Sequence, residues 1–302
     1  MFDLRYHVAS LAAVFLALAV GIILGVAISG KVRGAEDTLS AQRVEQLEGE
    51  LERQQEAASD DSRRLAALET YVERTYTPLV TDRLAGESTA VVLVGEVSET
   101  LRASIETTLR DASGISARVV AIDVPLDPGR LDDLLTSQDD LSSFAGDDFG
   151  PLGQAIGEEL VGGIGEEPLL PRVSAELVAE LDGSTTAVAT GVAVARSWEQ
   201  TVGLEPAVRE ATDSFVDGLM RGLRGGGGPV VGVTGTGTEG RRALLAWYRE
   251  AGVSSVDALD FDSGRLALAL LLAGATPGNY GFLEEESDDG PIPSVPQETG
   301  AG

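Results

Sequence analysis

Cysteine is absent from the 302 residues, and histidine, lysine and methionine nearly so: His7, Lys31, Met1 and Met220 are all there is of them. Without cysteine there is no disulfide framework, no thiolate zinc site and no cysteine nucleophile. One histidine and one lysine, both before residue 32, leave the bulk of the chain no Ser-His-Asp relay, no imidazole metal cluster and no Walker lysine. Positive charge is scarce as well: 22 Lys and Arg face 49 Asp and Glu, a formal net charge of −27. Such a polyanion repels phosphate backbones, which excludes nucleic acid as a partner. Carboxylates, arginines, hydroxyls and backbone amides remain, and the expectation is a non-catalytic protein without cofactor or bound metal.

What is present begins with an apolar run. Residues 8–28 hold 21 consecutive uncharged side chains, roughly 32 Å as a helix at ~1.5 Å per residue, enough for a bilayer core. The run exceeds the 7–15 residues of a signal-peptide core, so it reads as an uncleaved anchor over 8–29, although Ala27-Ile28-Ser29 leaves a cleavage site open. Arg5 on one side and Lys31 and Arg33 on the other nearly balance. The short tail, 1–7, is expected in the cytoplasm, with everything after the anchor exported. Ala17, Gly21 and Gly25 recur every four residues, the spacing at which small side chains let two membrane helices approach.

Residues 35–76 contain no proline and one glycine, Gly49. A heptad frame places Val44, Leu51, Leu65 and Val72 at one seam position and Leu47 and Leu68 at the other, with polar Gln54 and Asp61 between. This predicts a coiled-coil stalk, ended by Pro78. Two anchored stalks side by side favour a parallel homodimer, with packing back onto the chain's own domain as the alternative.

From 88 to 282 apolar runs at 89–94, 117–124, 186–195, 229–234 and 254–259 alternate with helical spacing at 98–112, 151–161, 174–181, 206–223, 238–251 and 264–272. Alternation with apolar strands predicts a three-layer Rossmann-like α/β domain with a mainly parallel sheet. Residues 126–150 read as an acidic, loop-rich insertion and 283–302 as a disordered acidic tail. Paired acids at Asp132-Asp133, Asp139-Asp140 and Asp147-Asp148 lack a calcium-loop pattern and read as solvated charge. The sharpest motif is a GxGxxG at Gly235, Gly237 and Gly240 with Asp260 twenty residues on. It satisfies several conditions of a dinucleotide fingerprint, but it falls late in the fold and in a glycine-rich chain, and the expected reading is a tight turn of the α/β scaffold. Trp198 and Trp247 read as packing residues.

The N-terminal stretch from Phe2-Asp3-Leu4-Arg5-Tyr6-His7 through Val20-Gly21, with Ser254-Ser255-Val256-Asp257, Gly264-Arg265-Leu266-Ala267-Leu268 and Gly278-Asn279-Tyr280-Gly281, closely resembles the mycobacterial copper transport protein B (MctB) family of actinobacteria. The resemblance covers nearly the whole chain. It implies an envelope protein labelled a copper transporter, sometimes placed in the outer membrane as a channel. Some members are SteB-like cell-division proteins that act with a second membrane protein through a coiled coil. Copper itself is implied only by this resemblance, since copper(I) prefers thiolate, thioether or imidazole donors. Three functions are therefore carried forward: a scaffold working through its coiled coil, copper transport or efflux, and a nucleotide-binding enzyme built on Gly235–Gly240.

Overall fold

The computed structural model describes residues 4–163, 168–184, 187–198, 203–283 and 289–294; the side chains of 4–13, 25–46, 48, 61, 68, 69 and 73 also lie outside the description. The chain divides into two compact units, Met1–Glu69 and Thr70–Gly302.

Helix α1 runs from Leu4 to Val80. It passes through Pro78, which the sequence suggested as its end, and stops two residues later. Proline removes the hydrogen bond to the residue four before it, yet its fixed φ suits a helix, so a final turn can follow. That turn is held from the side: Tyr76, Val80 and the following Leu84 are buried in the second unit. The α/β unit therefore starts at Thr70, inside the expected stalk.

Seven strands form one sheet: β1 (Ser88–Val94), β2 (Ile115–Ile122), β3 (Val178–Gly183), β4 (Gly191–Arg196), β5 (Val230–Val233), β6 (Ser254–Val256) and β7 (Asn279–Tyr280), in the order β3-β2-β1-β4-β5-β6-β7. All neighbours are parallel except β2 and β3. Side-chain alternation divides the core. Ala90, Val92 and Val94 of β1 face a layer built from α3 (Pro128–Thr136), α4 (Gly150–Gly162), α5 (Leu170–Leu177), α6 (Pro206–Gly225) and α7 (Arg241–Glu250). Val91 and Leu93 face α2 (Glu99–Asp111), α8 (Asp262–Leu272) and the end of α1. This is the expected mixed α/β architecture, with a mostly parallel sheet buried on both faces.

Three stretches differ from expectation. Residues 174–181 are not one helix: α5 buries Leu170, Val173 and Leu177, and the period then switches to two in β3, an edge strand with alternating exposure. The supposed loop at 126–150 contains α3, started by Asp127, whose carboxylate accepts the Arg130 N–H at 3.1 Å, and by Pro128 at the first turn. The acidic tail is held at one point: Gly281 N–H donates to Gly290 O at 3.0 Å, Asp289 Oδ2 accepts from Asn279 N–H at 2.7 Å, and Ile292 packs on the core.

Helices α4 and α6 meet backbone to backbone. Gly153 and Gly157 on α4, and Gly218 and Gly222 on α6, lie four apart, and a Cβ at any of them would stand closer than 3.0 Å to backbone atoms of the opposite helix. Only glycine permits that approach.

Candidate functional site

The GxGxxG loop follows β5 at the carboxyl end of the sheet, and the fold brings Asp260 onto it. Thr236 donates its N–H to Asp260 Oδ1 at 2.8 Å and its hydroxyl to Oδ2, while Gly235 N–H donates to the Thr238 hydroxyl at 2.9 Å. Two amides that a phosphate-binding loop would aim at a ligand are thus engaged within the chain, one of them by a carboxylate. Gly237 borders open space. Gly240 opens α7 with φ +62° and carries the Trp198 side chain, which a Cβ there would strike; its conformation and close packing both require glycine.

Beneath this loop Asp257 is fully buried. It accepts from the Thr234 hydroxyl at 3.3 Å and from Phe282 N–H at 3.2 Å, and pairs with Arg241 Nε at 3.3 Å. One carboxylate thereby ties together the ends of β5, β6, β7 and α7. The carboxylates of Asp257, Asp260 and Asp262 already accept from Arg241, Thr236 and Arg265, so donors at this end of the sheet are engaged within the chain.

In a doubly wound sheet the ligand crevice is expected where the strand order reverses, here between β1 and β4. The turn after β1 has a single glycine, Gly95, before Ser98 caps α2 by accepting the Leu101 N–H at 3.3 Å. β4 ends there in Arg196, 5 % exposed. Sequence reasoning passed over this residue and the buried Arg118 of β2. Their one sequence signal is an arginine within or closing an otherwise apolar strand.

On α1, Ala17 and Gly21 are exposed, a Gly21 Cβ would meet nothing within 4 Å beyond its own turn of helix, and Gly25 falls outside the described side chains. Eight large apolar residues between Val14 and Leu24 are 47–69 % exposed. Among the heptad positions Leu47, Leu51 and Leu65 are 64, 55 and 60 % exposed, Val72 is half-buried, and the side chains of Val44 and Leu68 lie outside the description. Among the described residues no helix is long and apolar enough to cross a membrane; of the expected anchor, 8–29, the side chains at 8–13 and 25–29 are not described. No group of three His, Asp or Glu is placed to hold a metal among the described residues.

These features define a class: a doubly wound α/β unit preceded by a long helix that carries exposed apolar residues at 14–24 and at Leu47, Leu51 and Leu65. The chain belongs to the MctB family; the family model described as "Copper transport outer membrane protein, MctB" matches residues 1–291. A comparison with curated proteins found no match.

Proposed function

We propose that this chain is a single-pass, membrane-anchored envelope protein that acts without catalysis, as a scaffold whose α1 pairs with a second copy and holds a further envelope or division protein. The observation that supports it is the uncovered apolar surface of α1. Fully burying one leucine or isoleucine is worth about 1.5–3 kcal/mol, and the eight exposed residues at 14–24 lie in the uncharged run 8–28. Lipid covers such a run in the topology proposed, with 1–7 cytoplasmic and the α/β unit exported. Leu47, Leu51 and Leu65 occupy both seam positions of one heptad frame and suit a parallel partner helix.

The absence of cysteine makes the test clean. Single substitutions Leu47→Cys, Leu51→Cys and Leu65→Cys in the full chain should give disulfide-linked dimers in membranes. Glu56→Cys, on the opposite side of the frame, should not. Equal cross-linking at all four positions, or none at the seam, refutes the paired stalk.

The family description favours a second reading, copper transport. Its difficulty is the donor set: no cysteine, Met220 buried at 2 % exposure, and a single histidine, His7, and one further methionine, Met1, in the rest of the chain. Titration calorimetry of the full chain with Cu(I) and Cu(II) separates the two readings. Tight stoichiometric binding supports transport; heats equal to those of buffer support the scaffold.

A further inference from the structure

Both tryptophans of the chain meet at one groove beside the strand-order reversal. Arg196, at the end of β4, lays its guanidinium 4.6 Å from the ring centroid of Trp247 on α7 and reaches Asp213 Oδ1 on α6 at 3.3 Å. Trp247 Nε1 donates to Asp217 Oδ1 at 3.3 Å. The next residue, Tyr248, is buried and donates its hydroxyl to Val194 O at 3.1 Å, which fixes α7 against β4. Trp198 sits on the Cα of Gly240 at the start of α7. Between these groups lies a cavity of about 510 Å³, bordered by Trp198, Trp247, Asp213 and Asp217. A second cavity of about 290 Å³ shares Asp217 and Trp247 and continues along α6 to Arg224. Each indole is half-buried.

The chemistry of the groove discriminates among ligand classes. Arg196 stacks on one side of the Trp247 ring and so supplies from within the chain the cation that this indole attracts, while the ring still borders both cavities. An anion would need cations in excess, but Arg196 is paired with Asp213, Arg224 Nη1 is bound to Ala251 O at 2.9 Å, Arg209 and Arg221 share the lining with Asp213, Asp217 and Glu250, and the whole chain carries −27. A neutral polyhydroxylated ligand fits what is left. Indoles offer apolar surface to the C–H faces of pyranose rings. Arg209, Asp213, Asp217 and Arg221 follow one another at four-residue steps, about 6 Å along the helix axis, offering donors and acceptors in succession to hydroxyls along a linear chain. Two adjoining cavities give room for more than one ring.

We propose that this groove binds a neutral oligosaccharide, with Trp198 and Trp247 as platforms and Asp213 and Asp217 as hydroxyl acceptors. The inference does not depend on the pairing of α1. Because the chain's only tryptophans border the groove, intrinsic fluorescence reports on it directly. The full chain in a sugar-free zwitterionic detergent is titrated with cellotetraose, maltotetraose and chitotetraose. At least one should give a saturable change in emission, confirmed by titration heat. Asp217→Ala and Trp247→Phe should each weaken that binding about tenfold, or 1.4 kcal/mol, while Thr107→Ala on α2 leaves it unchanged. If Trp247→Phe fails to fold, Asp217→Asn, which keeps the side chain's shape, serves in its place. Absence of saturable binding for all three sugars overturns the proposal. So does wild-type affinity in the groove variants, or the same emission change produced by inorganic phosphate or a lysine-rich peptide instead.

Discussion

Glycines four apart on a helix occur in two regions of this protein and have different surroundings in each. In the α/β unit Gly153 and Gly157 face Gly218 and Gly222, and the backbones of α4 and α6 fill the space where side chains would stand. On α1, Gly21 borders open space in the single chain, with Gly25 one turn on in sequence. The spacing is therefore a statement about permission: it allows close approach, and a partner helix must supply the contact. In the α/β unit that partner is in the same chain. For α1 we propose a second copy.

The largest expected effect breaks this comparison from the filled side. Gly218→Val pushes a branched side chain onto the backbone of Gly150 and cannot be absorbed by rotamer change. It should cost about 3 kcal/mol of stability or more, the upper range for overpacking, read as a lowered denaturant midpoint. Gly21→Val, the same change at the same spacing, should leave the α/β unit's midpoint within about 0.5 kcal/mol of wild type while lowering the disulfide cross-linking of Leu47→Cys chains. Equal loss of stability from both would show that α1 is structurally committed within its own chain.

The same contrast explains how much was legible in the sequence. Strand–helix alternation, the Ser98 cap and the apolar strands follow from local pattern and were readable. The α4–α6 contact was not: it joins two motifs more than sixty residues apart, and Gly153 and Gly157 read as ordinary residues of one helix until Gly218 and Gly222 oppose them. β3 was missed because helical spacing at Leu170, Val173 and Leu177 runs without a break into the period-two segment after Val178. The candidate site was half legible. The Gly235–Gly240 loop and Asp260 meet in the fold, but nothing in the spacing tells whether a carboxylate binds a ribose or the loop itself. Trp198 and Trp247 do pack against the core, as their hydrophobicity suggested. Their shared groove depends on Arg196, 51 residues before Trp247, and needed the fold.

A smaller effect sharpens the reading of that loop. Asp260 is exposed, so Asp260→Ala should cost about 1–2 kcal/mol, as expected when a charged acceptor of two hydrogen bonds is lost near solvent. Asp260→Asn should restore part of it by accepting one bond. A nucleotide fingerprint makes the opposite claim about what these residues serve. If NAD or ATP stabilises the wild-type chain in a thermal shift and Gly237→Val abolishes that shift, with unaltered stability in the absence of ligand, the loop is a ligand cradle. An internal turn predicts no shift in either chain, and Gly237→Val is tolerated because its side chain enters open space.

The smallest effect concerns the sheet's antiparallel edge, where β3 is clipped to α2. Arg102 donates to both Glu180 oxygens, at 2.6 and 2.7 Å, and to Glu106 at 3.0 Å. The hydrogen bonds from Arg102 hold the Glu180 carboxyl below its ordinary range. A carboxylate whose folded-state pKa is depressed adds stability above the unfolded value, about 4.3, and loses it as pH falls through the lower folded value. With side chains 23 and 39 % exposed, solvent screening limits the pair to about 1 kcal/mol or less. Wild type should therefore exceed Glu180→Gln in denaturant midpoint at pH 7, and the gap should begin to shrink as pH falls below about 4.3 and narrow in high salt. A gap that stays constant as the pH falls would mean that β3 is held by packing of Val178 and the register with β2 instead of by this charge.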